Sequence, residues 1–326
     1  MKKLLIISSF LLAFVLSACQ KDFPLGSPTS DELCLICFPG QRDTTIIQLY
    51  ATVPIGGKYE GSKYLKAADI SFSVDGASLP VQQASEPVGS VPKGCWFVPG
   101  TVAEGHQVEI RAAVQDKPSI VATTIIPDQV PTFEYKLHSY GIEVFFEDDS
   151  SSEDFYGLAL ACEQTLEKDG KKKITIHNVE PISEGNGTKE ISVVQEYYDT
   201  GFSGWSLWPK KAALYGVRIW PDKKFNGTKA RLAMQIGSAH FGGSGYDADY
   251  DAEMEGASET RRYKLLLYRF SKEFFKYMAS LDYQAYNDYA SYGIVPVIPS
   301  YTNVAGGCGI LAGWSVRETG WFVLNE

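Results

Sequence analysis

Apolar residues recur along much of this chain at every second position, the spacing that places them on one face of a β-strand. Asp69-Ile70-Ser71-Phe72-Ser73-Val74 alternates in this way and stops at Asp75-Gly76, a pair suited to the positive φ angles of a tight hairpin turn. Val108, Ile110, Ala112 and Val114 share one face of another strand, with Glu109 and Arg111 on the other. The stretch from Thr44 to Val53 is rich in β-branched residues and ends at Pro54-Ile55-Gly56-Gly57, a turn signal. Short strands at this spacing predict an immunoglobulin-like β-sandwich over residues 44–127. Pro127 and Pro131 then interrupt the pattern and mark a domain boundary.

The remainder, 131–326, also reads mainly as strands. Ile142 to Phe146, Tyr156 to Cys162, Ile174 to Ile176, Ala213 to Trp220, Arg231 to Ile236 and Arg262 to Phe270 carry the same signals, and Lys168 to Lys173 is a charged, solvated hairpin tip. The pattern changes after Ser271, a suitable N-cap. Phe274, Phe275, Met278, Leu281 and Ala285 fall at helical spacing and predict a helix over 272–288 whose stripe packs into the core. The predicted fold class is mainly β, with the sandwich followed by a larger β-rich domain, sandwich or barrel-like, carrying one packed helix.

The first residues follow a different logic. Met1-Lys2-Lys3 is positively charged and Leu4 to Val15 is apolar but shorter than the roughly 20 residues a spanning helix needs. Leu16-Ser17-Ala18-Cys19 follows and resembles a bacterial lipobox, so 1–18 is expected to be a signal peptide and Cys19 a lipidation site. Acyl chains on Cys19 would hold the protein at the outer membrane without a spanning segment. Residues 19–43 are expected to be a lipidated tether, since Gln20 to Ser30 has Pro, Gly and Ser and no apolar period. Lys21-Asp22 resembles, incompletely, the signal that sends Bacteroidota lipoproteins to the cell surface. The full chain of 326 residues has a net charge of −9. Removing Lys2 and Lys3 with the signal leaves 28 basic residues against 39 acidic ones, or −11. Such a charge excludes sequence-independent nucleic-acid binding, which needs a basic footprint.

Five stretches carry a resemblance to a known family. They are Val121-Ala122-Thr123-Thr124-Ile125-Ile126-Pro127; Glu143-Val144-Phe145-Phe146-Glu147-Asp148 followed by Phe155-Tyr156; Phe225-Asn226-Gly227; Leu267 to Tyr277; and Tyr301 to Gly313, with its Gly306-Gly307 pair and Gly309-Ile310-Leu311-Ala312-Gly313 ending. The chain resembles the Bacteroidota outer-membrane lipoproteins catalogued as domain of unknown function 4249. It departs from their pattern at Thr302, where Ser is usual, and at Cys308 within the glycine run. The resemblance implies an envelope setting and a TonB-dependent outer-membrane receptor as partner. The expected role is a non-enzymatic accessory or ligand-binding subunit of such a transporter. A structural or adhesive surface protein that binds a host or matrix molecule is the alternative.

The residues themselves assemble no catalytic set. His106, His138, His177 and His240 are scattered, with no HExxH spacing, and Gly242-Gly243-Ser244-Gly245-Tyr246 misses the last glycine of a nucleophile elbow. Cys34-Leu35-Ile36-Cys37 is a lone CxxC, without the second ligand pair of a zinc site. In an exported protein one of that pair, Cys37, is expected to bridge to Cys95, and Cys162 to Cys308. Asp247, Asp249 and Asp251 alternate in an acidic stretch that reads either as a solvated loop or as hard oxygen ligands for Ca²⁺, although the EF-hand pattern fails at Ala252 and Ser258. No other cofactor is expected. Asp43-Thr44-Thr45 resembles a short O-glycosylation acceptor with the glycan on Thr44, and reads equally as a strand start. Phe202, Trp205, Trp208, Tyr215 and Trp220 are either a carbohydrate-stacking platform or core.

Overall fold

The structure is a computed structural model. It describes residues 32–52, 65, 67–138, 141–149, 152–179, 198–199, 217–235, 256–284 and 300–323.

In chain order the strands begin with β1 (Leu33–Cys37), β2 (Thr44–Ala51), β3 (Asp69–Val74), β4 (Ala77–Leu79), β5 (Gln82–Gln83), β6 (Trp96–Pro99), β7 (Gln107–Ala113) and β8 (Ile120–Ile125). Then come β9 (Phe133–His138), β10 (Gly141–Glu147), β11 (Phe155–Lys168), β12 (Lys171–Asn178), β13 (Tyr198–Asp199) and β14 (Arg218–Pro221). A 3-10 turn at Asp222–Lys224 leads to β15 (Lys229–Gln235), β16 (Ser258–Phe270), helix α1 (Lys272–Gln284), β17 (Cys308–Leu311) and β18 (Trp314–Glu318). The protein is mainly β, with several sheets and one helix of this length among the described residues.

Among the described residues four sheets surround three large cores, with a smaller cluster beside them. Strands β4-β3-β7-β8 form one sheet and β17-β1-β2-β6-β5 another. Their facing residues, among them Phe72, Val108, Ile110 and Ala112 on one side and Leu33, Leu35, Ile47 and Leu49 on the other, make a single buried core. The second sheet is covered on its other face as well. Ile36 and Ile310 there meet Phe274, Tyr277 and Met278 of α1 and Phe155, Ala159 and Tyr268 of a third sheet. That third sheet, ordered β13-β14-β11-β16-β18 with β12 also on β11, presents its opposite face to the fourth, β15-β10-β9. Tyr156, Leu158, Leu160 and Cys162 of β11 pack there with Ile142, Val144 and Leu232. Strict alternation along β11 thus sends successive side chains into two different cores.

Local chemistry sets the details. Asp75-Gly76 and Asp169-Gly170 turn their hairpins with φ of 49° and 79°, and 51° and 75°, the positive values a two-residue hairpin turn uses. Ser271 caps α1 by accepting the Phe274 N–H at 3.4 Å through its Oγ. Aromatic stacking fixes the helix on the sheet: the Phe270 and Phe274 ring centroids stand 4.2 Å apart.

Part of the stretch expected as a tether, 19–43, is strand instead. Residues 33–37 are a strand buried at every position, because β1 has a sheet on one face and α1 on the other. The sandwich expected over 44–127 likewise takes in β1 and, from the far end of the sequence, β17. Cys34, Leu35, Ile36 and Cys37 lie opposite Cys308, Gly309, Ile310 and Leu311 in a parallel ladder. Glycines make this closeness possible. A β-carbon on Gly307 would stand 2.3 Å from the Leu33 carbonyl oxygen, and one on Gly313 would stand 2.7 Å from that of Ile125. The segment before β17 is held by Asn303, whose Oδ1 accepts the Leu311 N–H at 3.0 Å and whose Nδ2 donates to the Leu311 carbonyl at 2.7 Å.

Candidate functional site

Three carboxylates from separate parts of the sequence meet among the ends of β10, β11 and β14. Asp148 follows β10, Asp154 precedes β11, and Asp222 opens the 3-10 turn after β14. All three are buried, and a carboxylate oxygen from each lies within 4.8 Å of the others. Hydrogen bonds dictate their placement. Asp154 N–H donates to Asp222 Oδ2 at 2.8 Å, while Asp222 N–H donates to the Asp154 carbonyl at 2.9 Å. Asn226 Nδ2 reaches both Asp222 Oδ2 at 3.0 Å and the Ser152 carbonyl at 2.8 Å. Asp148 accepts from Tyr156 Oη at 2.6 Å and from the Gly227 N–H at 2.9 Å.

A cation faces the acids. Arg269 of β16 binds both oxygens of Asp154, with Nε at 2.9 Å from Oδ1, and each side chain of the pair is 8% exposed. A fork of two parallel bonds is the geometry in which a guanidinium best offsets the cost of burying a carboxylate. Burial, and then the charges of Asp148, Asp154 and Glu153, hold the Asp222 carboxyl above its ordinary value, against the hydrogen bond it receives from Asp154. The raised value reflects a buried carboxyl set beside other acidic groups. The donors already aimed at these oxygens make the cluster a structural node that pins β10, β11, β14 and β16 together. Three hard oxygen donors this close also have the composition of a divalent-cation site.

Beside the node lies a cleft of about 520 Å³ between the end of β8 and the segments that flank β11 and β16. Gln107 and Thr123 to Asp128 line one wall, and Ser152 to Asp154 with Arg269 to Glu273 line the other. Its rim carries the Glu153–Lys272 ion pair, 2.6 Å apart. Acidic, basic and hydroxyl groups in one concave space suit a small polar ligand. Neither described imidazole with a placed side chain reaches it: His106 Nδ1 is 2.5 Å from Asp75 Oδ2, and His138 Nε2 is 3.2 Å from Glu143 Oε2.

The residues singled out from the sequence fare differently. Cys19, the acidic Asp247, Asp249 and Asp251, and the aromatics Phe202, Trp205, Trp208 and Tyr215 lie outside the described residues. Trp220 is core, 1% exposed beside Tyr156 and Leu158. Thr44 opens β2 opposite Pro99, half-buried and away from the cleft. The expected cysteine pairings are not brought together. Cys37 points into the sandwich core, whereas Cys95 belongs to a small cluster with Ala84, Val91 and Phe97. Cys162 sits in the core between the third and fourth sheets, and Cys308 lies beside Cys34. Alternation explains both outcomes: Cys95 shares a face with Phe97, opposite the Trp96 and Val98 that join Cys37, and Cys162 shares a face with Leu160, opposite the Ala159 that turns towards Ile310 of β17.

The carboxylate node was not anticipated from the sequence, because its acids are up to 74 positions apart. A signal was nevertheless present. The stretches that carry the family resemblance contain Asp148, Tyr156, Asn226, Gly227 and Arg269, and the fold gathers all five at this node. A search of curated proteins finds no match. The family described as Domain of unknown function (DUF4249) matches residues 21–320. The chain belongs to that family.

Proposed function

We propose that this protein is a lipid-anchored, non-enzymatic accessory or ligand-binding subunit of a TonB-dependent outer-membrane transporter, exposed at the cell surface. The observation that carries the reading is Leu16-Ser17-Ala18-Cys19 placed after a basic and then an apolar run, the order that acylation and cleavage at Cys19 require. Among the described residues no helix is long and apolar enough to cross a membrane, so attachment in this reading rests on the acyl chains. The cleft beside the node supports the ligand-binding half of the proposal. It offers charged groups of both signs held on packed strands and a capped helix. The transporter partner rests on the family resemblance.

Labelling with radioactive palmitate tests the anchor. Wild-type protein is expected to take up label, and Cys19→Ala to lose it and leave the membrane fraction; label retained by the variant would contradict the assignment. Protease shaving of intact cells tests exposure, with full protection of the protein placing it on the inner leaflet instead.

A further inference from the structure

We infer that Cys34 and Cys308 are a disulfide-forming pair that locks β1 to β17. The two residues are direct partners in the parallel ladder, and their neighbours Ile36 and Ile310 repeat the pairing two positions on. Both cysteines therefore point from the same face of the sheet. Adjacent strands lie about 4.8 Å apart, within the separation of roughly 4.4–6.8 Å between α-carbons that a disulfide spans. The two thiols are close enough to perturb one another, with Tyr50 and Tyr277 beside them. Cys34 is buried, while Cys308 is partly exposed and so open to a reagent.

No other described cysteine competes. Cys37 projects from the opposite face of β1 into the sandwich core, and Cys162 is buried in a different core. Cys95 packs against Ala84, Val91 and Phe97. The bond would close a loop of roughly 270 residues, the kind of long closure that most restricts an unfolded chain. It would also fix the single described parallel ladder, which joins strands from opposite ends of the sequence and has few residues with which to hold itself.

The chemistry is ordinary thiol–disulfide exchange. One thiolate of the pair attacks one sulfur of a disulfide donor, such as oxidised glutathione or a disulfide-bearing oxidoreductase, and releases one donor thiol. The thiolate of the other cysteine then displaces the second. Two protein thiols are oxidised to one disulfide, and the donor is reduced to two thiols that keep the two protons.

In the cell, oxidation rests on the export proposed above, so the test has two arms. Full-length protein in detergent is incubated with oxidised glutathione, alkylated and mapped by mass spectrometry without reduction. The expected product is a Cys34–Cys308 linked peptide, and a Tm roughly 5–10 °C above that of the same protein reduced. Cys34→Ser should give neither the link nor the redox-dependent Tm. Alkylation of both residues after oxidation, or links to Cys37, Cys95 or Cys162 in their place, would overturn the inference. The second arm traps thiols in intact cells. A pair that oxidises in detergent but is reduced in cells would count against export and leave the pairing standing.

Discussion

Gly309 passes so close to Leu35 that a β-carbon on it would stand 1.9 Å from the Leu35 carbonyl oxygen, and its φ of 102° is one that other residues rarely adopt. Both facts follow from where β17 runs, against a strand buried on its two faces. Gly309→Ala should therefore cost more than about 3 kcal/mol, through a backbone clash that no side-chain rotamer relieves. Gly320 has nothing within 4 Å and no positive φ, so Gly320→Ala should change stability by less than about 0.5 kcal/mol. Urea unfolding of the two variants separates these outcomes, and equal midpoints would contradict the close approach.

Arg269 and Asp154 form the ion pair on which the carboxylate node depends. Removing the cation alone, as Arg269→Met, leaves Asp154 buried beside Asp148 and Asp222 and should cost about 3–5 kcal/mol. Removing both charges, as Arg269→Met with Asp154→Asn, should recover part of that loss. A double variant as unstable as the sum of its single substitutions would show that the two side chains do not act as a pair.

Asp222 makes the node sensitive to pH in a definite direction. Its carboxyl is held above the ordinary value, chiefly by burial, so the folded state binds that proton more tightly than the unfolded chain does. The proton's contribution to stability is present at acid pH and is lost as the pH rises from about 4 through the folded value. Asp222→Asn stays uncharged and keeps an oxygen for the Asp154 N–H and Asn226. Its stability relative to wild type should therefore improve as the pH rises from about 4 and level off above the folded value. Melting curves that shift in parallel across that range would contradict the assignment.

Where strands alternate against one solvated face, the sequence is enough to find them. Asp69–Val74 is observed with its expected ends, and the buried Val108, Ile110 and Ala112 share the expected face. Ser271 and the stripe after it announce α1, and the described helix ends at Gln284. The Leu33–Cys37 strand was hidden for the opposite reason. Buried on both faces, it has no alternation to read, and it follows a stretch with the composition of a tether. The cysteine pairings could not be inferred from spacing, because the partner of β1 enters from the other end of the sequence. The node was hidden by distance along the chain, though Arg269 set within Leu265-Leu266-Leu267-Tyr268-Arg269-Phe270 is the kind of isolated charge in an apolar run that needs a buried partner.

The proposal that this β-rich protein works against an integral outer-membrane receptor is tested most directly by affinity capture of the full-length protein from detergent-solubilised outer membrane, with the co-purifying proteins identified by mass spectrometry. The account predicts a TonB-dependent barrel in the captured material, lost when Cys19→Ala takes the protein off the membrane. Capture of the protein with no integral barrel partner would contradict it.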